Sequence, residues 1–254
     1  MGNAQMIGSR EEQQDAFGFT DKDDADFLQH GGVVTVVADG IGGHAHGGQA
    51  SQLAVQAFLR DYQSKPKTVT IPDALYYALQ AANLAVCEFA EAQGEPENCG
   101  TTLVAAVLHP QSDALYWIGV GDSRLYLLRE DEWVQLTADS NCAGQIIKKM
   151  ARGAAIRNEP IPGLKPQALT SFLGKKKLRE IDRAFRPFPV HAGDRLVLCT
   201  DGLYDSLSTQ EMLECLRYDP QGACERLVRS LAAKNLPNQD NATVTVLTYQ
   251  VSED

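Results

Sequence analysis

Residues 33–48 read VVTVVADGIGGHAHGG, and no other stretch limits the fold as much. Residues 33–37 form a short apolar run rich in β-branched side chains, too short for a free-standing helix, so it reads as a buried strand. The run passes through Ala38 into Asp39 and a glycine-dense turn, and the chain turns helical near Gln49. Asp39 then stands where a rigid strand stops, with its carboxylate leaving the end of a sheet. Gly40, Gly42 and Gly43 permit positive φ and leave backbone oxygens uncovered. Such a place suits a hard cation.

The arrangement recurs. Residues 115–120 (LYWIGV) run into Gly121 and Asp122, and residues 195–200 (RLVLCT) run into Asp201 and Gly202. Near the end the order is inverted, with Asp240 and Asn241 opening the strand ATVTVL at 242–247. One Asp at a strand end is ordinarily a turn former or a cap. Four at apolar strand ends indicate a shared site.

With 254 residues and 44% hydrophobic side chains, the chain can build a full core. No apolar run approaches the ~20 residues of a membrane helix, and the first residues, MGNAQMIGSREEQQD, contain no apolar signal segment. Met6 stands where a myristoylation signal needs Ser or Thr. The expectation is a soluble, cytoplasmic protein without membrane or nucleic-acid partners, since the net charge is −10. That charge is uneven: residues 145–186 hold eleven Lys or Arg against three acids, Glu159, Glu180 and Asp182. None of the six cysteines belongs to a C-x-x-C pair, and none has an Arg six positions later, which removes thiolate phosphatase chemistry. They read as free thiols in a reducing compartment.

Taken in order, residues 7–19 suggest an edge strand with a charged lead-in. Arg10 and Asp15 can reach one site only if that segment is irregular. Residues 21–26 (DKDDAD) read as a loop or hairpin tip. Helices are expected at 49–62 and 72–93, the second with Pro72 in its first turn. Strands at 100–108, 115–120, 123–128 and 133–136 have the spacing of an antiparallel meander. Residues 139–177 are less regular, with a helical patch GQIIKKMA and the run Lys175, Lys176, Lys177, and read as an insertion on the sheet edge. Strand signals return at 178–190 and 195–200. Ser208 with Glu211 is a capping box, Asp219-Pro220 opens another helix, and 242–251 is a last strand. Strands and paired helices alternate in blocks, which predicts an α+β sandwich of antiparallel sheets with helices outside.

Several Asp side chains around one pocket repel each other unless cations neutralise them. Oxygen-only ligands select hard ions such as Mg²⁺ or Mn²⁺. The expectation is two such ions roughly 3.5–4 Å apart, bridged by Asp39 and by a water poised for in-line attack on phosphorus, with the Gly40 carbonyl as a further ligand.

The order R-x-x-Q-Q-D (Arg10 to Asp15), V-A-D-G-I-G-G-H, G-T-T, G-D-S-R, L-T-A-D, T-D-G-L-Y-D and D-N-A-T-V closely resembles the metal-dependent Ser/Thr phosphatases of the protein phosphatase 2C (PPM) family, and most of all its compact bacterial members. The likeness covers essentially the whole chain, 1–254, as one domain. It implies an α-β-β-α sandwich of two central antiparallel sheets flanked by helices, with a flap at about 139–177. By motif position, Asp39 is the bridging ligand, Gly40 gives its carbonyl, Asp201 and Asp240 hold the first ion, and Asp15 supports the second. Asp122 with Asp201 matches the pair that holds a third, weaker ion. Arg10 matches the Arg that grips the substrate phosphate. The implied partners are phosphoprotein substrates and an opposing Ser/Thr kinase, with the chain acting as a monomer in signal transduction.

There are departures. Gln13 stands where bacterial relatives usually show Asn. Ile41 stands where many eukaryotic members carry a His thought to protonate the leaving group. His44 and His46 lie close to the metal turn, with a structural role the simpler reading. The flap, with Pro160, Pro162 and many basic residues, departs most, so substrate choice stays open. A module of the same fold that binds without turnover is the competing reading, although every matching acidic position is retained. The signatures Asp-x-Asp-x-Thr/Val, G-K-[ST] and Asn-His-Glu/Asp of other phosphate enzymes are absent. The basic segment could recruit an acidic phosphoprotein or be a solvated face.

Overall fold

The apolar runs become strands buried on both sides, and the amphipathic runs become the helices that cover them. The structure is a computed structural model and describes residues 1–21, 23–41, 46–96, 98–152 and 165–250. It begins with β1 (Gly2–Met6) and β2 (Asp15–Phe19), then α1 (Ala25–Gly31) and β3 (Val33–Ile41). Helices α2 (Gly47–Gln63) and α3 (Ile71–Ala92) follow as a packed pair. A meander comes next: β4 (Gly100–Thr101), β5 (Leu103–His109), β6 (Ala114–Val120), β7 (Arg124–Arg129) and β8 (Glu132–Gln135). After α4 (Cys142–Ala151) come the short strands β9 (Asp182–Arg183) and β10 (Phe188–Pro189). The chain closes with β11 (Arg195–Cys199), α5 (Asp201–Tyr204), α6 (Thr209–Cys215), α7 (Pro220–Ala233) and β12 (Ala242–Thr248).

Two antiparallel sheets result. One has the order β1-β12-β11-β7-β8, and the other β10-β6-β5-β3-β2, with β4 on β3 and β9 on β6. Helices α2 and α3 cover the second sheet, with Phe58, Leu75, Leu79 and Val86 buried against Val34, Val36 and Ala105. Helices α6 and α7 cover the first through Met212, Leu227 and Leu231. Between the sheets lies a third apolar layer, including Val37, Val104, Leu125, Leu198 and Leu247. This is the expected α-β-β-α sandwich. Each fully buried Leu or Phe contributes about 1.5–3 kcal/mol relative to exposure, so three such layers hold the sheet ends firmly.

The two-residue period of a strand decides what reaches the interior between the sheets. Along β3, Val34, Val36 and Ala38 point to the helices, whereas Thr35 and Val37 point to the other sheet. Thr35 Oγ1 donates to Thr245 Oγ1 across the sandwich at 3.0 Å. The next position on that face is Asp39. On β3 this face therefore runs Val33, Thr35, Val37 and Asp39 and ends in a carboxylate.

Several local expectations are corrected. Residues 7–19 are not one strand: only Asp15–Phe19 is extended, and residues 7–14 are turns and bends. β1, which carries no alternating apolar pattern, forms because β12 offers it an edge, pairing Gly2 with Val246 through Met6 with Ala242. Residues 21–26 are not simply a hairpin tip, because Asp24 caps α1 by accepting from Phe27 N at 3.0 Å. The strand expected at 178–190 reduces to the two-residue β9 and β10 on β6. The last strand ends at Thr248, and residues 251–254 lie outside the described residues.

Candidate metal centre

Asp39 does not mark the end of its strand. β3 continues to Ile41, and Asp39 pairs in register with Asp15 on β2. Both carboxylates enter the space between the sheets. The backbone of Asp39 is fully anchored by the G-T-T segment. Its N–H donates to Thr102 Oγ1 at 2.9 Å, and its carbonyl accepts from Thr101 Oγ1 at 2.7 Å and Thr102 N at 2.8 Å. Thr102 Oγ1 also meets Ser123 Oγ at 2.6 Å, which ties this strand to the residue after Asp122.

Gly40 is needed for space and not for a positive φ. It lies within β3, and a Cβ there would stand 2.2 Å from the Gly47 carbonyl oxygen and 2.6 Å from that of Gln14. Both are backbone atoms that cannot swing away. Gly42, Gly43 and His44 lie outside the described residues. His46 precedes α2, with its ring edge-on to Phe89 at 6.0 Å, and so belongs to helix packing.

Asp15 is 3% exposed. Its Oδ2 accepts from Thr200 Oγ1 at 2.9 Å and from Thr243 Oγ1 at 2.8 Å, so two hydroxyls of one sheet hold a carboxylate of the other. Its Oδ1 is buried with no hydrogen-bond partner. Asp201 is the first residue of α5, directly after β11, and Asp240 lies just before β12. Asp122 is buried ahead of β7. Antiparallel pairing of β7, β11 and β12 brings these three to one end of their sheet, facing Asp15 and Asp39.

The electrostatics are those of crowded like charges in a dry place. Burial, then the charges of Asp15, Asp201, Asp122 and Asp240, push the Asp39 carboxyl well above the usual range. Burial pushes Asp15 up to about 7 against the pull of its two threonine bonds. Asp122 is pushed up to about 7 by burial and then by Asp201. Asp201 is raised by burial and then by Asp240, with a hydrogen bond to Asp39 opposing. Arg10 Nη2 donates to Asp240 Oδ2 at 2.6 Å in a half-exposed ion pair. Residues 7–14 are irregular enough to place Arg10 and Asp15 at one site. The fold thus brings together all seven residues singled out: Arg10, Asp15, Asp39, Gly40, Asp122, Asp201 and Asp240.

As they stand, no three His, Cys, Asp or Glu side chains among the described residues are arranged to hold a metal ion. Asp240 is engaged by Arg10 and Asp15 by two threonines. The donor set nevertheless fits hard divalent cations: every candidate ligand is oxygen, one buried carboxylate oxygen has no partner, and several carboxylates raise one another.

Other residues complete the site, and sequence reasoning assigned them no role. Asn241 gathers the irregular segment: its Nδ2 donates to the carbonyls of Ile7 and Glu12, and its Oδ1 accepts from Gln14 N at 2.8 Å. Gln13 Oε1 accepts from Asp15 N at 3.1 Å, so its amide steadies the backbone at Asp15. Arg124 chelates Asp139 through Nε at 3.1 Å and Nη2 at 2.8 Å while its guanidinium lies 3.6 Å over the Tyr204 ring. That cluster walls a cavity of about 520 Å³ reached by Asp122 and Asp201 and roofed by α4. The motifs S-R, T-A-D and G-L-Y were visible, but a lone Arg, Asp or Tyr in sequence gives no sign of which others it will meet.

The sequence profile of the family described as Protein phosphatase 2C matches residues 4–239. The serine/threonine protein phosphatase PstP of Mycobacterium tuberculosis is 31% identical over 222 residues, which cover 87% of this chain but 41% of that protein. The chain therefore spans about two fifths of that relative's length. The serine/threonine phosphatase stp of Listeria innocua is 30% identical, over 84% of this chain and 83% of its own. Among solved structures, the catalytic domain of PstP in complex with two manganese ions superposes with a TM-score of 0.75 at 28% identity. That match covers 98% of this chain and 97% of the other.

Proposed function

Because the chain belongs to the protein phosphatase 2C family, we propose that it is a metal-dependent phosphatase that removes phosphate from phosphoserine and phosphothreonine in proteins and opposes a Ser/Thr kinase. The observation that carries this reading is the meeting of Asp15 and Asp39 from one sheet with Asp122, Asp201 and Asp240 from the other. Their carboxyls are buried against one another, and one carboxylate oxygen has no partner. Charges held this way need cations. In our reading Asp39 would be shared by two ions, Mg²⁺ or Mn²⁺, with the Gly40 carbonyl as a further ligand. Asp201 and Asp240 would complete the first position, Asp15 would support the second, and Asp122 with Asp201 would take a third, weaker ion. Such ions supply an activated water and neutralise the phosphoryl oxygens.

Arg10 orients the substrate. Its guanidinium is more than half exposed and already stands beside the carboxylates. When Asp240 is engaged elsewhere, Arg10 is released to hold two phosphate oxygens in a planar, bidentate grip. Ile41 ends β3 opposite Gly100 and carries no titratable group, so it cannot itself protonate the leaving oxygen. Residues 1–254 act as one domain and as a monomer, and residues 139–177 as a flap, of which α4 roofs the cavity and residues 153–164 lie outside the described residues. The free thiols, Cys99, Cys199, Cys215 and Cys224 among them buried, support a reducing compartment such as the cytoplasm. No helix among the described residues is long and apolar enough to cross a membrane.

The test is phosphate release from matched phosphoserine, phosphothreonine and phosphotyrosine peptides, with and without Mn²⁺. Release from the first two only, and only with metal, is expected. Metal-independent release, or preference for phosphotyrosine, would overturn the assignment. Binding of phosphopeptide with no release would favour the non-catalytic module.

A further inference from the structure

Beyond residues 139–173 the chain does not go straight back to a sheet. It leaves the rim of the metal centre at Leu173, whose backbone exchanges hydrogen bonds of 2.8 and 3.1 Å with Thr101, the residue that anchors Asp39. From there residues 174–186 form a strap laid on α3. Asn83 fastens its start, accepting from Gly174 N at 2.9 Å and donating to the Lys175 carbonyl at 3.0 Å. Further on, the Arg183 guanidinium lies 4.8 Å over Tyr76, two helical turns back along α3 from Asn83.

The strap sorts its side chains cleanly. Leu178 and Ile181 pack on the α2–α3 core, and Ala184 is buried. Lys176, Lys177, Arg179 and Arg186 are exposed, and none has an acidic partner among the described residues. Both strap acids are committed elsewhere. Glu180 accepts from Gln145 and Lys148, and Asp182 from Trp117 Nε1 and Ala138 N. On a chain of net charge −10, the exposed charges of this strap are all cationic. It also carries rings. Tyr77 meets Tyr76 edge-on at 6.2 Å, Tyr76 lies under Arg183, and Arg183 lies 4.1 Å over Phe185. The ladder ends exposed on both sides, with Tyr77 57% and Phe185 69% accessible. Aromatic rings and Arg are the residues enriched where proteins meet.

We propose that this strap is a docking surface for an acidic segment of the protein substrate, lying in the same chain as the phosphorylated residue and outside the catalytic cavity. The identity of the partner as substrate rests on the phosphatase reading above. Charge complementarity selects the acidic segment: the exposed cations of the strap, without acidic partners among the described residues, stand on a chain that is acidic overall. The ladder offers apolar edges for side chains interspersed with the acids. Nucleic acid fits less well, because Arg183 already occupies a face of both Tyr76 and Phe185, and free ring faces are what bases stack on. Docking at the strap holds the phosphorylated residue near the site, raising its effective concentration and lowering KM without touching the chemical step.

The experiment uses the full chain with Mn²⁺ and three substrates: a phosphothreonine peptide with a tail of Asp and Glu, the same peptide with a neutral tail, and a small aryl phosphate. In the combined variant Lys176→Glu, Lys177→Glu, Arg179→Glu, kcat/KM for the acid-tailed peptide should fall about tenfold through KM. The other two substrates should change less than about twofold. Phe185→Ala should act in the same direction, more weakly. Equal losses on all three substrates, or no loss on the acid-tailed peptide, would overturn the proposal. A second readout is anisotropy of the labelled, unphosphorylated acidic tail, which should bind the native chain, weaken with salt and bind the charge-reversed chain poorly. It separates the two readings, since a chain that binds the tail yet releases no phosphate refutes the phosphatase assignment and not the docking. Displacement of the tail by a single-stranded oligonucleotide at lower concentration than by free acidic peptide would assign the strap to nucleic acid instead.

Discussion

The two sheets bring their carboxylates to the site in different ways. Asp15 and Asp39 lie inside paired strands, opposite each other in register, with their surroundings fixed by Thr101, Thr102, Thr200 and Thr243. Asp122, Asp201 and Asp240 stand just beyond the ends of β7, β11 and β12, and Asp240 is half-exposed on an arginine. One half of the site is built like core and the other like a rim. The rigid half sets the position where charge collects, and at the rim Asp240 can exchange partners. In the proposed function, Asp39 as the shared ligand belongs to the first kind and Asp240, which alternates with Arg10, to the second.

This contrast can be broken by substitution. Asp39→Asn should have the largest effect: activity with Mn²⁺ should fall about a thousandfold or more, because several kcal/mol of metal assistance disappears at about 1.4 kcal/mol per tenfold. The same change should raise the melting temperature of metal-free protein by scanning calorimetry, since it removes a charge that its neighbours oppose. A lower melting temperature would mean that Asp39 is structural. Asp240→Asn should cost about a hundredfold in kcat/KM, measured by phosphate release. Metal-free stability should shift by less than about 1 kcal/mol, the ceiling for an exposed ion pair. Thr243→Val removes one of two hydroxyls on Asp15 and should weaken Mn²⁺ binding by calorimetric titration about tenfold, in the range for residues that orient a metal ligand.

A smaller effect concerns pH. Asp15 and Asp122 are both pushed up to about 7 by burial. Between the ordinary carboxylate range and pH 7 the folded chain therefore holds protons that the unfolded chain has released. Stability of metal-free protein must then fall as pH rises through that window. A loss of at least about 1 kcal/mol corresponds to a melting temperature lower by about 2–4 °C at neutral pH than near pH 5. Saturating Mn²⁺ should abolish the slope, because the ions replace the protons.

The rim half of this comparison was the more legible in sequence. Asp122, Asp201 and Asp240 announce themselves as acids at the ends of apolar runs, and antiparallel pairing does the rest. Asp39 was legible as an acid but not as a strand residue, because GIGGHAHGG reads as a turn while Gly40 and Ile41 continue the ladder to Thr101 and Gly100. The threonines were hidden by their own propensity: in β11 and β12 they look like ordinary β-branched residues, and only a second sheet turns their hydroxyls into anchors. β1 depends wholly on its partner. α1 was masked by an acidic cluster whose Asp24 is a cap. The Arg183 ladder was invisible because its members come from a helix and a strap a hundred residues apart.

The most direct test of the two-sheet site is the anomalous signal of Mn²⁺ in crystals of the full chain. The account predicts two ions about 3.5–4 Å apart, both touching Asp39, one reaching Asp201 and Asp240, with Arg10 turned away from Asp240. Manganese found only away from Asp39, or a single ion held entirely by one sheet, would contradict it.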